Sequence, residues 1–223
     1  MQLCIDAADD RPGIALAVEG VAGLTLTWET HRNHSVELLP NIGRQLTEAG
    51  RTKSDISAVF VDVGPGGYAA LRVGVSIAKA LAHGLDVPIV GVGRLELDAW
   101  GAARDSGIAA GRIVAVHRAG RGELAWAAYR KDGVIWSEDE APRIARATEV
   151  PERLQPGDIV TGDIDDALSD AAHRTGATVA SAHRHRVVAL AELGQRRLAA
   201  GRVDEATALV PMYLRAPAIG PQR

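Results

Sequence analysis

The sequence predicts an α/β protein of two similar lobes facing each other across a cleft, each lobe a βββαβαβα unit. Three observations point there. Short apolar runs bounded by Gly, Asp or Pro alternate with longer stretches of helical spacing. Each half of the 223-residue chain opens with three strand-like runs in succession, which the alternation of a doubly wound sheet would not produce. The same element order then recurs after roughly 110 residues, although the halves share no obvious residues.

In the first half the apolar runs place strands at 3–6, 14–18 and 24–30. A helix follows over 35–49, where Val36, Leu39, Gly43 and Leu46 recur at helical spacing. A strand at 58–63, a helix from about 70 to 84, a strand at 88–92 and a helix near 94–104 complete the unit. In the second half strands are expected near 113–116, 124–130 and 133–137, and a helix near 148–154. Strand 158–161, helix 164–174, strand 178–181 and helix 186–200 finish it. The Gly/Ala-rich stretch from Gly101 to Gly111 marks the boundary, giving lobes 1–103 and 104–223, with the last helix, about 186–200, packing back on the first lobe. Two such lobes describe the actin-like ATPase architecture (ASKHA, ribonuclease H-like) shared by hexokinases and sugar kinases.

Composition narrows the function. With 47% hydrophobic residues the chain can build a real core, while a net charge of −3 supplies no field for gripping nucleic acid unaided. Any RNA role would need a second protein to supply positive surface. The single cysteine, Cys4, falls in a predicted buried strand, so neither a disulfide framework nor a cysteine zinc site is available. The N-terminus reaches Asp6 before a signal-peptide core could form, and no apolar run approaches the ~18 residues of a membrane span. A cytoplasmic protein with no membrane contact is expected.

The segment richest in chemistry is Gly64-Pro65-Gly66-Gly67-Tyr68, a glycine-rich turn between a strand and a small-residue helix. Unpaired amides and a helix dipole at such a turn favour an anion, although the turn lacks both the Lys-Ser/Thr of a Walker loop and a G-x-G-x-x-G spacing. On the following helix Arg72, Ser76, Lys79 and His83 form one narrow polar stripe. The rest is apolar or small, and Gly74, Ala78 and Ala82 at i, i+4, i+8 let another backbone come close. That strip fits either packing within its own lobe or a protein–protein interface.

These residues resemble a known family. His34-Ser35-Val36-Glu37-Leu38-Leu39-Pro40, Gly64-Pro65-Gly66 with Leu71-Arg72-Val73-Gly74, Ala78-Lys79, Pro88-Ile89-Val90-Gly91-Val92 and Pro211-Met212-Tyr213-Leu214-Arg215 are similar to bacterial TsaB, also called YeaZ. The resemblance is specific in the first hundred residues and weak from about 104 to 205. It implies an actin-like subunit of the machinery that makes N6-threonylcarbamoyladenosine in tRNA. Such a subunit is non-catalytic, forms a heterodimer through its N-lobe helices with the catalytic subunit TsaD and activates it, and is joined by the ATPase TsaE. The partner contact then falls on Leu39, Gly43, Leu71, Gly74, Ala78 and Ala82, a homodimer is expected when the chain is alone, and tRNA is met only through the complex. The family's Asp-Thr-Ser after the first strand is Asp6-Ala7-Ala8 here, its Gly-Pro-Gly-Ser-Phe-Thr-Gly turn is Gly64-Pro65-Gly66-Gly67-Tyr68-Ala69-Ala70, and its Asp-Ala-Arg is Val116-His117-Arg118. Hydroxyls and an acidic residue that could approach phosphate or Mg²⁺ are therefore missing.

The alternative is a small phosphotransferase or ATPase that binds Mg·ATP, weakly or through the complex, at Asp6, Gly64, Gly66 and Gly67. Asp6 at the end of the first strand could instead cap the turn that leads to Asp9. No catalytic residue is assigned, because Cys4, Ser35 and Ser76 lack a nucleophile-elbow context. No metal site is assigned either. His183-Arg184-His185, with Arg186 beside it, reads as a solvated basic turn, and His31 and His34 have no clear third ligand, so His34 is placed at the helix entry.

Overall fold

The computed structural model describes residues 1–31, 33–180 and 186–215. The first lobe holds β1 (Gln2–Asp6), β2 (Gly13–Val18), β3 (Val21–Thr27), α1 (His34–Glu48), β4 (Ala58–Asp62), α2 (Tyr68–Leu85), β5 (Ile89–Val92) and α3 (Arg94–Asp105). The second holds β6 (Ala110–Gly120), β7 (Glu123–Asp132), β8 (Ile135–Arg146), β9 (Ile159–Gly162), α4 (Asp166–Thr175), β10 (Thr178–Val179) and α5 (Arg186–Ala199).

The two sheets have the same topology. The first runs β3-β2-β1-β4-β5 and the second, read from its β8 edge, β8-β7-β6-β9-β10. In each, the first three strands of the unit form an antiparallel meander and the last two add in parallel. The chain therefore folds as a duplicated, two-lobed actin-like α/β protein.

Alternation along the strands explains the layers, since successive side chains leave a strand on opposite faces. Leu3 and Ile5 of β1, with Val59 and Val61 of β4, meet Leu38 and Ile42 of α1 and Val75 and Ala78 of α2. Cys4, Ala58 and Phe60 point the other way, into a layer built by Val187, Leu190 and Leu193 of α5. The last helix of the chain thus covers the first sheet. In the second sheet Val114, Val116 and Trp126 pack with Leu168 and Ala172 of α4, whereas Ile113, Ala115 and Ala127 pack with Leu95, Ala99 and Ala102 of α3. Each half lends its final helix to the other half's sheet, and the two helices meet between the lobes. Arg104 Nη1 donates to Glu192 Oε1 at 3.2 Å, and Trp100 Nε1 and Arg197 donate to Glu192 and Glu96 across the same crossing. Gly194 permits the close approach of α5, because a Cβ there would lie 2.4 Å from the Phe60 ring.

Several expected elements differ, among them β3, which lies at 21–27 rather than 24–30, and β6, which spans 110–120 rather than 113–116. The helix near 148–154 is only a 3-10 turn at Val150–Arg153, because Pro151 near its start and a four-residue length leave no room for an α-helix. The strand near 133–137 continues to Arg146 through Glu138, Asp139, Glu140 and Pro142, tolerated because β8 is an edge strand. Beyond α5 the chain returns along the first lobe. Asp204 N donates to Ile89 O (2.9 Å), Lys79 Nζ to Leu209 O (2.9 Å) and Met212 N to Val63 O (2.7 Å), which delivers Tyr213 and Arg215 to the cleft.

Candidate functional site: a carboxylate centre closed by arginine

The C-terminal ends of β1 and β4 point into the crevice between the lobes, where open α/β sheets place their ligands. Asp6 and Asp62 follow the last paired residues there, Ile5 and Val61. The duplication puts His117 and Asp163 in the same relation to Val116 and Gly162 in the second lobe. His117 Nδ1 lies 2.7 Å from Asp163 Oδ2, and Arg118 N donates to that oxygen at 3.0 Å. The bond to His117 is the main reason that the Asp163 carboxyl lies well below its usual range.

Asp6 is buried, and both its oxygens are engaged. Oδ1 accepts from Ala8 N at 3.0 Å, the turn cap anticipated from the sequence, and Oδ2 accepts from Arg186 Nε at 2.8 Å. Arg186 opens α5 and its side chain is only 10% exposed. It also donates through Nη2 to Asp9 Oδ2 at 2.6 Å and lies 3.9 Å from both Asp62 and Asp98. A second buried guanidinium, Arg94 at the start of α3, lies 3.1 Å from Asp9 and 3.6 Å from Asp98. Arg186 is therefore no part of a solvated turn. His183, Arg184 and His185 lie outside the described residues.

Four carboxylates and two guanidiniums share this centre, so charge must be balanced locally. Burial, reinforced by the Asp6 charge, pushes the Asp62 carboxyl well above its usual range. Burial likewise raises Asp98. For Asp9 burial acts in the same direction, but Arg186 and Arg94 outweigh it and hold the carboxyl low. Burial opposes the charge on Arg186, yet Asp6, Asp98, Asp9 and Asp62 together hold its pKa far above the ordinary guanidinium value. The group is a permanent cation held among the four carboxylates. Among the described residues, no group of three His, Cys, Asp or Glu side chains is placed to hold a metal ion. The side chains present do not fit Mg²⁺ at Asp6.

The glycine turn is tight for steric reasons. Gly64, at φ +98°, sits under Leu71, so a Cβ there would lie 2.7 Å from Leu71 Cδ1, and at Gly66 a Cβ would lie 2.2 Å from Ala8 O. Gly64 N is bonded to Asp62 Oδ1 (2.7 Å) and Gly67 N to Ala8 O (2.8 Å). Two amides expected to face a phosphate are thus spent inside the lobe. Above the turn opens a cleft of about 700 Å³ between Gly66, Gly67 and Tyr68 on one side and His117, Arg118 and Arg121 on the other, with Tyr213 and Arg215 at its edge.

The expected partner face divides. Leu71, Gly74, Ala78 and Ala82 are buried within their own lobe, and a Cβ on Gly74 would lie 2.8 Å from that of Ala7. The small strip lets α2 approach its own sheet, so these four are not at the surface. Leu39 is 49% exposed, Val36 66%, and Gly43 has open space around it. His34, at the entry of α1, is buried with Nε2 donating to Asp9 O at 2.8 Å. Sequence reasoning missed Arg186, Asp62, Arg94 and Asp98. The available signal was acidic residues at both strand ends with arginines opening two helices.

A family profile described as TsaD, tRNA N6-adenosine threonylcarbamoyltransferase, matches residues 28–164, more than half of the chain. The chain is 34% identical over 154 residues to the tRNA threonylcarbamoyladenosine biosynthesis protein TsaB of Escherichia coli, covering 69% of this chain and 65% of that protein. It is 33% identical over 134 residues to its namesake in Bacillus subtilis, covering 60% of this chain and 57% of that one. The match thus spans less than two thirds of either relative's length. In three dimensions the fold superposes on YeaZ from Pseudomonas aeruginosa with a TM-score of 0.77 at 24% identity, covering 96% of this chain and 99% of that one. The profile match, the sequence relatives and the shared two-lobed topology agree: the chain belongs to the TsaB/YeaZ family.

Proposed function

We propose that this chain is a non-catalytic subunit of the tRNA N6-threonylcarbamoyladenosine machinery, which binds and activates a TsaD-like catalytic subunit in the cytoplasm. The observation that carries this reading is Arg186: a buried guanidinium neutralises the carboxylates from which a phosphotransferase of this fold would work. What remains for the chain is to act by binding. The outer side of α1 offers Val36, Leu39 and Gly43, and α2 beside it adds the half-buried Val73 and Ile77. Exposed leucine and valine beside an open glycine suit the central part of an interface. A TsaE-like ATPase is the further member of the assembly, and a homodimer through the same face is its resting form, since one face cannot serve two partners at once.

Size-exclusion chromatography with light scattering, on the chain alone and mixed with the TsaD-type protein of the same organism, tests this. A heterodimer is expected, and the double variant Val36→Glu/Leu39→Arg abolishes co-elution while remaining folded. Absence of a complex, or a complex indifferent to that variant, contradicts the reading.

A further inference from the structure

We propose that the interlobe cleft receives one nucleotide of a single-stranded RNA loop, its base against Tyr68 and its phosphodiester at Arg118 and Arg121, without a metal ion. The proposal rests on the proposed role in tRNA modification and adds a direct interaction with the RNA.

The cleft of about 700 Å³ has room for a nucleotide. Arg118 and Arg121 stand at the end of β6 and in the β6–β7 turn, both are exposed, and neither side chain has an acceptor among the described residues. Arg215, also at the cleft, is neutralised by Glu123. The hairpin is held in place because Arg118 N donates to Asp163 Oδ2 at 3.0 Å. Two cations thus stand at one wall with no acceptor for their side chains among the described residues.

The opposite wall supplies a flat apolar surface. Tyr68 and Tyr213 are 43% and 39% exposed, their ring centroids 5.0 Å apart at 33°. Arg72 Nη1 donates to the Tyr68 hydroxyl at 2.8 Å and fixes the ring's orientation. Rigid exposed aromatics next to unpaired arginines are how proteins hold splayed bases of single-stranded RNA.

Charge favours an RNA strand over a nucleoside triphosphate. A nucleoside triphosphate carries several negative charges and is held with Mg²⁺ in enzymes that use it. The neighbouring carboxylate centre is closed by Arg186, and no cluster of described residues there is placed to hold that ion. A phosphodiester carries a single charge and needs no metal ion, since two arginines more than neutralise it. The net charge of −3 excludes a long-range grip, so the interaction is local and the RNA is delivered by the larger assembly.

Anisotropy of a labelled tRNA anticodon stem-loop, titrated with the full chain and with its TsaD-type complex at several salt concentrations, tests the proposal. The variant Arg118→Ala/Arg121→Ala should weaken binding at least tenfold, and the slope of log K against log salt should flatten by about 0.7 for each phosphate that is no longer neutralised. Tyr68→Ala should weaken binding several-fold and leave the slope unchanged. Wild-type affinity in the arginine variant overturns the proposal, as does absence of binding by both the chain and the complex. Displacement of the RNA by submillimolar Mg·ATP also overturns it and makes the cleft a mononucleotide site. If chromatography finds no heterodimer, the proposed scaffold role fails, while titration of the chain alone still decides the fate of the cleft.

Discussion

Replacing Arg186 by alanine is expected to cost about 3–5 kcal/mol of stability at neutral pH, because it leaves buried carboxylates with one guanidinium instead of two. For a chain of this size that corresponds to a fall in Tm of roughly 6–20 °C. The loss should depend on pH in a defined direction. In the native protein Asp9 is held below its ordinary value, so it contributes stability that is present above about pH 4 and lost as the pH falls through its folded value. Asp62 and Asp98 have raised values, so their contribution is present at low pH and lost as pH rises through the folded pKa. Removing Arg186 takes away the gain at Asp9 and deepens the loss at the other two. The deficit against wild type should therefore be smallest near pH 4 and grow toward pH 7. Urea denaturation across that range reads it. Arg186→Lys should recover only part, since an ammonium cannot bridge Asp6 and Asp9 as the fork does. A deficit independent of pH would show that packing at the start of α5, not charge, accounts for the effect.

Arg112→Met should be nearly as damaging, about 3–5 kcal/mol, and the damage lies in the second lobe. The Arg112 guanidinium is buried and donates to Asp158 Oδ2 (2.6 Å), Asp139 Oδ2 (2.7 Å), Glu140 Oε1 (2.9 Å) and the Arg153 carbonyl (3.3 Å). It thus ties β6 to the acidic middle of β8 and to the segment entering β9. Burial already raises the Asp158 carboxyl, and without Arg112 only Gln155 N remains bonded to its Oδ2. Calorimetric melting of the variant at neutral pH checks the magnitude. Hydrogen exchange should show protection falling first along β8, the edge strand whose acidic residues the arginine holds. A Tm within about 2 °C of wild type would contradict the assignment.

Most of the fold was legible because alternation in short apolar runs and helical spacing in longer ones report burial directly. The pairing of Leu3/Ile5 against Cys4, or Val59/Val61 against Phe60, is visible before any coordinates and becomes the two faces of the first sheet. The far half of β8 was hidden because Glu138-Asp139-Glu140 and Pro142 read as a loop, and it takes Arg112 from β6, with Arg130 and Arg143, to make that charge tolerable in a strand. The strip Gly74, Ala78, Ala82 was seen, but the sequence left open whether its neighbour lay in its own lobe or on a partner. Small residues at i, i+4, i+8 announce that a backbone comes close, and only the packing against Ala7 says whose backbone it is. Arg186 was the largest omission. Beside His183-Arg184-His185 it has the local signature of a solvated turn, and its carboxylate partners lie as much as 180 residues away.

Calorimetric titration of the purified chain with Mg·ATP tests most directly the claim that Arg186 closes the carboxylate centre and leaves the chain to act by binding its partner. The account predicts no saturable heat up to millimolar nucleotide, in the wild type and in Asp6→Ala alike. Saturable binding that disappears in Asp6→Ala would contradict it and make the chain a nucleotide-using enzyme.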